Sequence, residues 1–276
     1  MHQPAQTFSL GSSLSAHSKV LALVPYFNCE TWLEQCLDSL TSQTRIPQGI
    51  LVLDDASVIS PQAIVEKFPQ VTLWRSPENV GPYALLRSAI DQTQFDAYLF
   101  QDADDWSAYD RLEKLIEGAQ QTGAEWIGTQ ELMILGDNVR PIRYPLTFNQ
   151  LRDWSLSHPI CYPSSLISKN FLTQLGGFAS GLRISGDLEL ISRAVWTAQA
   201  ANLDDYGYFR RIRNQSLITS PETGLGSPLR VEIGNQIKAR KIENHSRVQK
   251  GLLPLLEPLV VGKPISFQFV TGPQLS

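Results

Sequence analysis

Acidic residues crowd together where two apolar runs end. GILVLDDAS (49–57) delivers Asp54 and Asp55, and AYLFQDADDW (97–106) delivers Asp102, Asp104 and Asp105. Carboxylates this close repel one another, and a hard cation such as Mg²⁺ or Mn²⁺ offsets that repulsion while completing its oxygen shell with substrate phosphates. Taken singly, each pair could equally serve turn and helix-cap chemistry. A further acid, Asp187 in SGDLEL, falls where a helix is expected to begin, so it can either cap that helix or accept a proton. No Walker sequence and no GxGxxG accompany these acids, so neither a P-loop ATPase nor a dinucleotide-dependent oxidoreductase is supported.

The elements that must position the acids follow from hydrophobic periodicity. VLALVPYF (20–27) reads as a buried strand, and the turn-favouring Asn28 leads from it into a helix in which Trp32, Leu33, Cys36, Leu37 and Leu40 recur at helical spacing. GILVLD, VTLW (71–74) and AYLF are further strands, separated by helical segments over 61–68 and 83–91. Strands alternating with helices from 19 to about 120 predict a mostly parallel sheet covered on both faces, with ligands at the carboxyl ends of its strands. DRLEKLIEGAQQTG predicts a helix closed by Gly123, and strands are expected from Glu125 and Ser165, the latter followed by a helix over 169–175. The chain reads as irregular from Gly136 to about 162, and as a loop and weakly amphipathic tail beyond Ser220.

The 276 residues, 42% hydrophobic with net charge −4, suit one large α/β domain rather than a nucleic-acid binder. No apolar run approaches the roughly 18 residues of a membrane span, and the first residues lack a basic and an apolar region, so a cytoplasmic protein is expected. The locally basic segment 230–250 can touch anionic lipid or polymer, a peripheral contact at the inner face of the membrane, or simply be a solvated helix face. Cys29, Cys36 and Cys161 lack metal-ligand spacing and read as small buried residues.

The ordered set VPYFN, SLTSQT, LVLDDAS, ENVGPY and QDADDWSAYDRLE, continued by LGGF, SGDLEL and YFRRIRNQS, resembles glycosyltransferase family 2 over about 19–220. The resemblance implies a GT-A fold: a mostly parallel, Rossmann-like sheet flanked by helices, with a nucleotide-binding half (19–120) and an acceptor half (121–220). A flexible lead (1–18) and a C-terminal extension (221–276) would flank it. It also implies an inverting, metal-dependent transferase in polysaccharide or glycoconjugate synthesis, moving a sugar, UDP-hexose by preference, onto a glycan or other hydroxyl acceptor. On this reading Pro25, Phe27, Asn28, Asp54 and Asp55 hold the nucleoside, joined by Asn79 and Gly81 of the N-x-G element and by Asp102. Asp102, Asp104 and Asp105 hold Mn²⁺ or Mg²⁺, and Arg211 and Arg213 meet the diphosphate. Asp187 is the general base, with Glu189 as the alternative.

Two departures from the family pattern stand out. Gly186 replaces the usual acidic residue before the base, and Leu86-Arg87 replaces an Arg and Asn, so Arg87 is a candidate for that nucleotide-side role. They keep a non-catalytic sugar-nucleotide or glycan-binding domain open as a second reading. A sugar nucleotidyltransferase is a third, although VPYFNCET has no Gly-rich basic phosphate loop.

Overall fold

The computed structural model describes residues 12–147, 158–197, 199–213 and 216–275. Its centre is four parallel strands: β1 (Val20–Tyr26), β2 (Gly49–Asp54), β3 (Val71–Arg75) and β4 (Ala97–Phe100), in the order β3-β2-β1-β4. Helix α1 (Glu30–Thr41) follows β1, α2 (Gln62–Val65) precedes β3, and α3 (Pro82–Asp91) leads into β4. Alternate strand residues go to opposite faces. Thus Leu21, Leu23, Leu51 and Leu53 pack beneath α3, while Val20, Ala22, Val24, Ile50 and Val52 pack beneath α1. Both faces are buried, which is why these strands read as unbroken apolar runs. Truncating one such leucine to alanine costs about 2–5 kcal/mol.

The sheet then changes direction. After β5 (Trp106–Ser107) and α4 (Arg111–Thr122) come β6 (Trp126–Leu135), β7 (Asn138–Ile142), β8 (Leu166–Ser168), α5 (Lys169–Gln174), α6 (Gly186–Ala194) and β9 (Ala200–Arg211). With β10 (Gln268–Thr271) included, the sheet among the described residues runs β10-β3-β2-β1-β4-β8-β6-β9-β5, with β7 paired on β6. Strand β8 is antiparallel to both neighbours. It thereby turns the parallel half into the half that carries β9 back toward Asp105.

Two readings of local structure change here. The helix expected over 61–68 is a single turn, α2. The segment after Gly136 opens with a hairpin, not irregular chain. Gly136 takes φ +56 at the turn, and Pro141 is tolerated because β7 is an edge strand. Of the expected acceptor segment, 148–157 lies outside the described residues.

Beyond Ser220 the chain forms the 22-residue helix α7 (Pro228–Gln249) and then the strand β10 (Gln268–Thr271), which pairs antiparallel with β3. Ser227 caps α7 by accepting from Arg230 N. Only Ile233, Ile237 and Asn244 of α7 are buried, which explains its weak pattern. Residues 1–11 of the lead lie outside the described residues. From Ser12 onward the lead is anchored, not loose: Ser13 Oγ donates to Glu125 at 2.6 Å, and Leu14 is buried.

Candidate active site

The turn after β2 separates the two adjacent acids. Asp54 is fully buried, accepts from Ser57 N at 2.9 Å and pairs with Arg75, so it builds the turn and does not line the cleft. Ala56 takes φ +56, a left-handed conformation that costs a non-glycine residue of order 1 kcal/mol. Asp55 is thereby aimed the other way. It accepts from Val80 N (2.7 Å), Gly81 N (2.8 Å) and Asn79 Nδ2 (3.0 Å), fixing the 79–81 loop as one wall. Burial pushes the Asp55 carboxyl up from the usual range, partly offset by the amides of Val80 and Gly81. Gly81 sits at φ +89, which glycine adopts without strain.

The loop after β4 presents the acid cluster. Carboxylate oxygens of Asp102, Asp104 and Asp105 lie within 4.8 Å of one another. Burial, then the charges of Asp104 and Asp187, pushes Asp102 up to about 7. Asp105 is buried and already committed, accepting from Tyr208 Oη at 2.9 Å and Arg211 N at 2.6 Å. Burial and its two acidic neighbours raise its carboxyl well above the usual range. Asp104 faces Arg213, whose Nε lies 2.5 Å from Oδ2, and the Arg211 guanidinium reaches the Asp104 carbonyl. Arg211 and Arg213 therefore share one side of the site, both within 6 Å of the Trp32 ring. Arg210 points elsewhere, to the buried Glu131 at 2.8 Å.

The donor set fits a hard divalent cation. Crowded oxygen ligands with raised protonation are what a cation relieves, and Asp102 and Asp104, both partly accessible, are the residues that would hold it. Asp105 is better placed to anchor β9 than to ligate.

Asp187 lies in the first turn of α6, partly accessible, with Ser185 before it at φ +59 as the cap residue. Its Oδ1 accepts from Tyr83 Oη at 2.7 Å. The Tyr162 hydroxyl is buried with no hydrogen-bond partner among the described residues, and it feels the charges of Tyr83, Asp102 and Asp187. These four side chains come from β4's loop, α3, the turn at 162–164 and α6. Glu189, the alternative base, is buried against Arg193 (2.6 Å) and accepts from Leu259 N, so it is structural.

A cleft of about 680 Å³ joins Phe27, Asp55 and Asn79 to Asp102, Asp104 and Arg213, beneath a cap formed by the segment from Leu217 to Thr223. Pro25, Gly81, Asp105 and Arg211 also line it. Phe27 is 46% exposed and presents its ring to this space, not to the core. Besides Asp54, two expected residues are elsewhere. The Asn28 side chain accepts from Val58 N, and Arg87 donates to the carbonyls of Gly176 and Phe178, bracing the LGGF turn. Tyr162 and Arg183, which binds Asn79, are site residues that no local motif marks, and Tyr83 closes the ENVGPY element without a role assigned to it from sequence.

The fold and this arrangement of acids define a GT-A protein. Residues 22–169, just over half the chain, match the family described as Glycosyl transferase family 2, and the chain belongs to it. Glycosyltransferase GlyA of Streptococcus pneumoniae is 31% identical over 100 residues, 35% of this chain and 14% of that protein. The fold is similar to that of S. aureus TarS in complex with UDP-GlcNAc, with a TM-score of 0.62, 21% identity, and coverage of 72% of this chain and 60% of that one. The mannosyltransferase PcManGT from Pyrobaculum calidifontis, in complex with GDP-Man and Mn²⁺, has a TM-score of 0.58 and 18% identity, covering 85% of this chain and 67% of that one. The chain thus spans less than two thirds of GlyA and of that TarS chain. Among the described residues no helix is long and apolar enough to cross a membrane.

Proposed function

We propose that this chain is an inverting glycosyltransferase that moves a sugar, UDP-hexose by preference, from its nucleotide diphosphate to a hydroxyl acceptor on a glycan or glycoconjugate. The observation that carries this reading is that Asp187, from a distant part of the sequence, lies close enough to Asp102 for their charges to act on one another, and that Asp102 lines the same cleft as Phe27 and Asp55. TarS binds UDP-GlcNAc and PcManGT binds GDP-Man with Mn²⁺, which supports a nucleotide-sugar donor and leaves the base open.

In this reading Phe27 packs on the base, and the loop held by Asp55 faces the nucleoside. Arg211 and Arg213 meet the diphosphate with planar guanidinium groups. Asp102 and Asp104 would hold a divalent ion, which would supply Lewis-acid stabilisation of the charge on the leaving diphosphate. The acceptor hydroxyl oxygen forms the new bond to the anomeric carbon as the carbon–phosphate oxygen bond breaks, and the diphosphate leaves with that electron pair. Asp187 takes the hydroxyl proton. Displacement from the face opposite the leaving group inverts the anomeric centre.

Thermal unfolding with UDP, GDP, CDP and dTDP, each with Mn²⁺ and with EDTA, tests the donor site. A nucleotide at about 100 times its Kd adds roughly 2.7 kcal/mol, so one that shifts the midpoint only with metal supports the reading. The absence of any shift overturns it. Gly186 favours a second reading, sugar-nucleotide binding without turnover. Asp187→Asn decides between them: loss of orders of magnitude in rate supports transfer, and unchanged behaviour supports binding alone.

A further inference from the structure

Gly186 stands where the family resemblance leads one to expect an acid, and the structure gives the reason for its size. A Cβ on Gly186 would meet two ring carbons of Tyr83 at 2.6 Å and a third at 3.0 Å. Real Cβ contacts are not that short, so no larger side chain fits while Tyr83 keeps its place. The ring has little freedom to yield. Tyr83 is 8% exposed, stacks on Phe178 with centroids 6.1 Å apart, and sits in the first turn of α3 directly after Pro82.

That same ring carries its hydroxyl to the neighbouring residue of α6. Tyr83 Oη donates to Asp187 Oδ1 at 2.7 Å. One contact therefore fills the notch over residue 186 and holds the carboxylate at 187. We propose that Tyr83 is the positioning residue for Asp187, its phenol taking over the role of the missing acidic neighbour and Gly186 supplying the clearance that this requires. The inference rests on the reading of Asp187 as the base. The bond engages Oδ1 and leaves Oδ2 for the acceptor's proton. Burial and the Asp187 charge push the Tyr83 phenol up from the usual phenol range, which favours the protonated, donating form. Donation by a neutral phenol also adds no charge to a region that already holds Asp102 and, with its buried hydroxyl, Tyr162.

The test is a substitution cycle on the full chain with Mn²⁺, following UDP release from the UDP-hexose selected by the donor screen, with melting temperature as the control for folding. Tyr83→Phe keeps the ring in the notch. It is expected to melt close to the parent and to lose about 10- to 100-fold in kcat, the size of a lost hydrogen bond to a charged group, with the donor KM unchanged. Gly186→Glu alone is expected to be impaired by the clash. The double variant Tyr83→Ala/Gly186→Glu, which opens the notch and restores an acid, is expected to exceed Tyr83→Ala at least tenfold in kcat. Wild-type kcat in Tyr83→Phe, or failure of the double variant to exceed Tyr83→Ala, overturns the positioning role provided Asp187→Asn is inactive. Activity in Asp187→Asn instead overturns the base reading itself, and with it this inference.

Discussion

Arg213 occupies the acid expected to hold a cation: its Nε lies 2.5 Å from Asp104 Oδ2, with the guanidinium 4.9 Å from the centre of the Trp32 ring. One cation is thus already in place beside the acid cluster. A divalent ion binding Asp104 has to displace it, and the released guanidinium is then near the cleft for a diphosphate. Arg213→Met is therefore expected to tighten Mn²⁺ binding in the absence of nucleotide and to weaken the gain that UDP gives. Calorimetric titration with Mn²⁺, with and without UDP, reads both effects, and weaker binding in both arms would refute the competition.

Asp104→Ala removes a ligand without removing a buried anchor, since Asp104 is partly exposed while Asp105 holds β9. Mn²⁺-assisted nucleotide binding should disappear and the far-UV spectrum should be unchanged. Parent-like binding, or full parent activity in excess EDTA, would remove the metal from the proposal.

The acid cluster also makes stability depend on pH in a known direction. Asp102 is pushed up to about 7 and Asp105 is raised too, so the folded, metal-free protein binds protons more tightly than the unfolded chain, whose Asp groups titrate near 3.9. Their contribution is fully present below about 4 and is lost as pH rises through about 7. In EDTA the melting temperature should therefore fall between pH 5.5 and 8 more in the parent than in Asp102→Asn. Equal slopes would contradict the sign.

Arg230 ties the cap to the turn that carries Asp187. It donates to the carbonyls of Thr223 (2.8 Å) and Leu217 (2.9 Å), and to Ser185 Oγ at 3.3 Å, two residues before Asp187. Arg230→Ala should raise the donor KM several-fold, because the cap lines the cleft. An unchanged donor KM would show that the cap is not held by this residue.

The buried Glu189–Arg193 pair holds the LGGF turn and the returning C-terminal chain together, through the carbonyls of Leu175, Gly177 and Leu256 and the amide of Leu259. Arg193→Met leaves an uncompensated buried carboxylate and should cost about 3–5 kcal/mol in urea unfolding. A loss below about 1 kcal/mol would mean that water reaches the pair.

How much of this was readable beforehand depended on how local each cause is. Strands β1, β2 and β4 are buried on both faces and announce themselves, as does Gly123, which closes α4 in the left-handed conformation. The acids at their ends were visible for the same reason. The division of labour between Asp54 and Asp55 was not, because it turns on the backbone at Ala56. Arg87 reads as a nucleotide-side residue only until α3 is docked on the LGGF turn. The Tyr83–Asp187 bond spans 104 positions, and the glycine that permits it looks like a defect when read alone. Strand β10 is half exposed and short, so QFVT carries little strand signal of its own.

That last strand bears on how the molecule is made. Thr72 in β3 donates to the Pro273 carbonyl across 201 positions, and β10 covers the flank of β3 that would otherwise present unpaired amides and carbonyls. On the ribosome, strands β1 to β4 emerge before β10 and stay open along that flank until the segment 201 positions after Thr72 follows. Closing so long a loop is entropically slow, and an open flank can pair with another nascent chain in the interval. Yield in cells should thus depend on how well the open flank of β3 is protected in the interval before β10 is made.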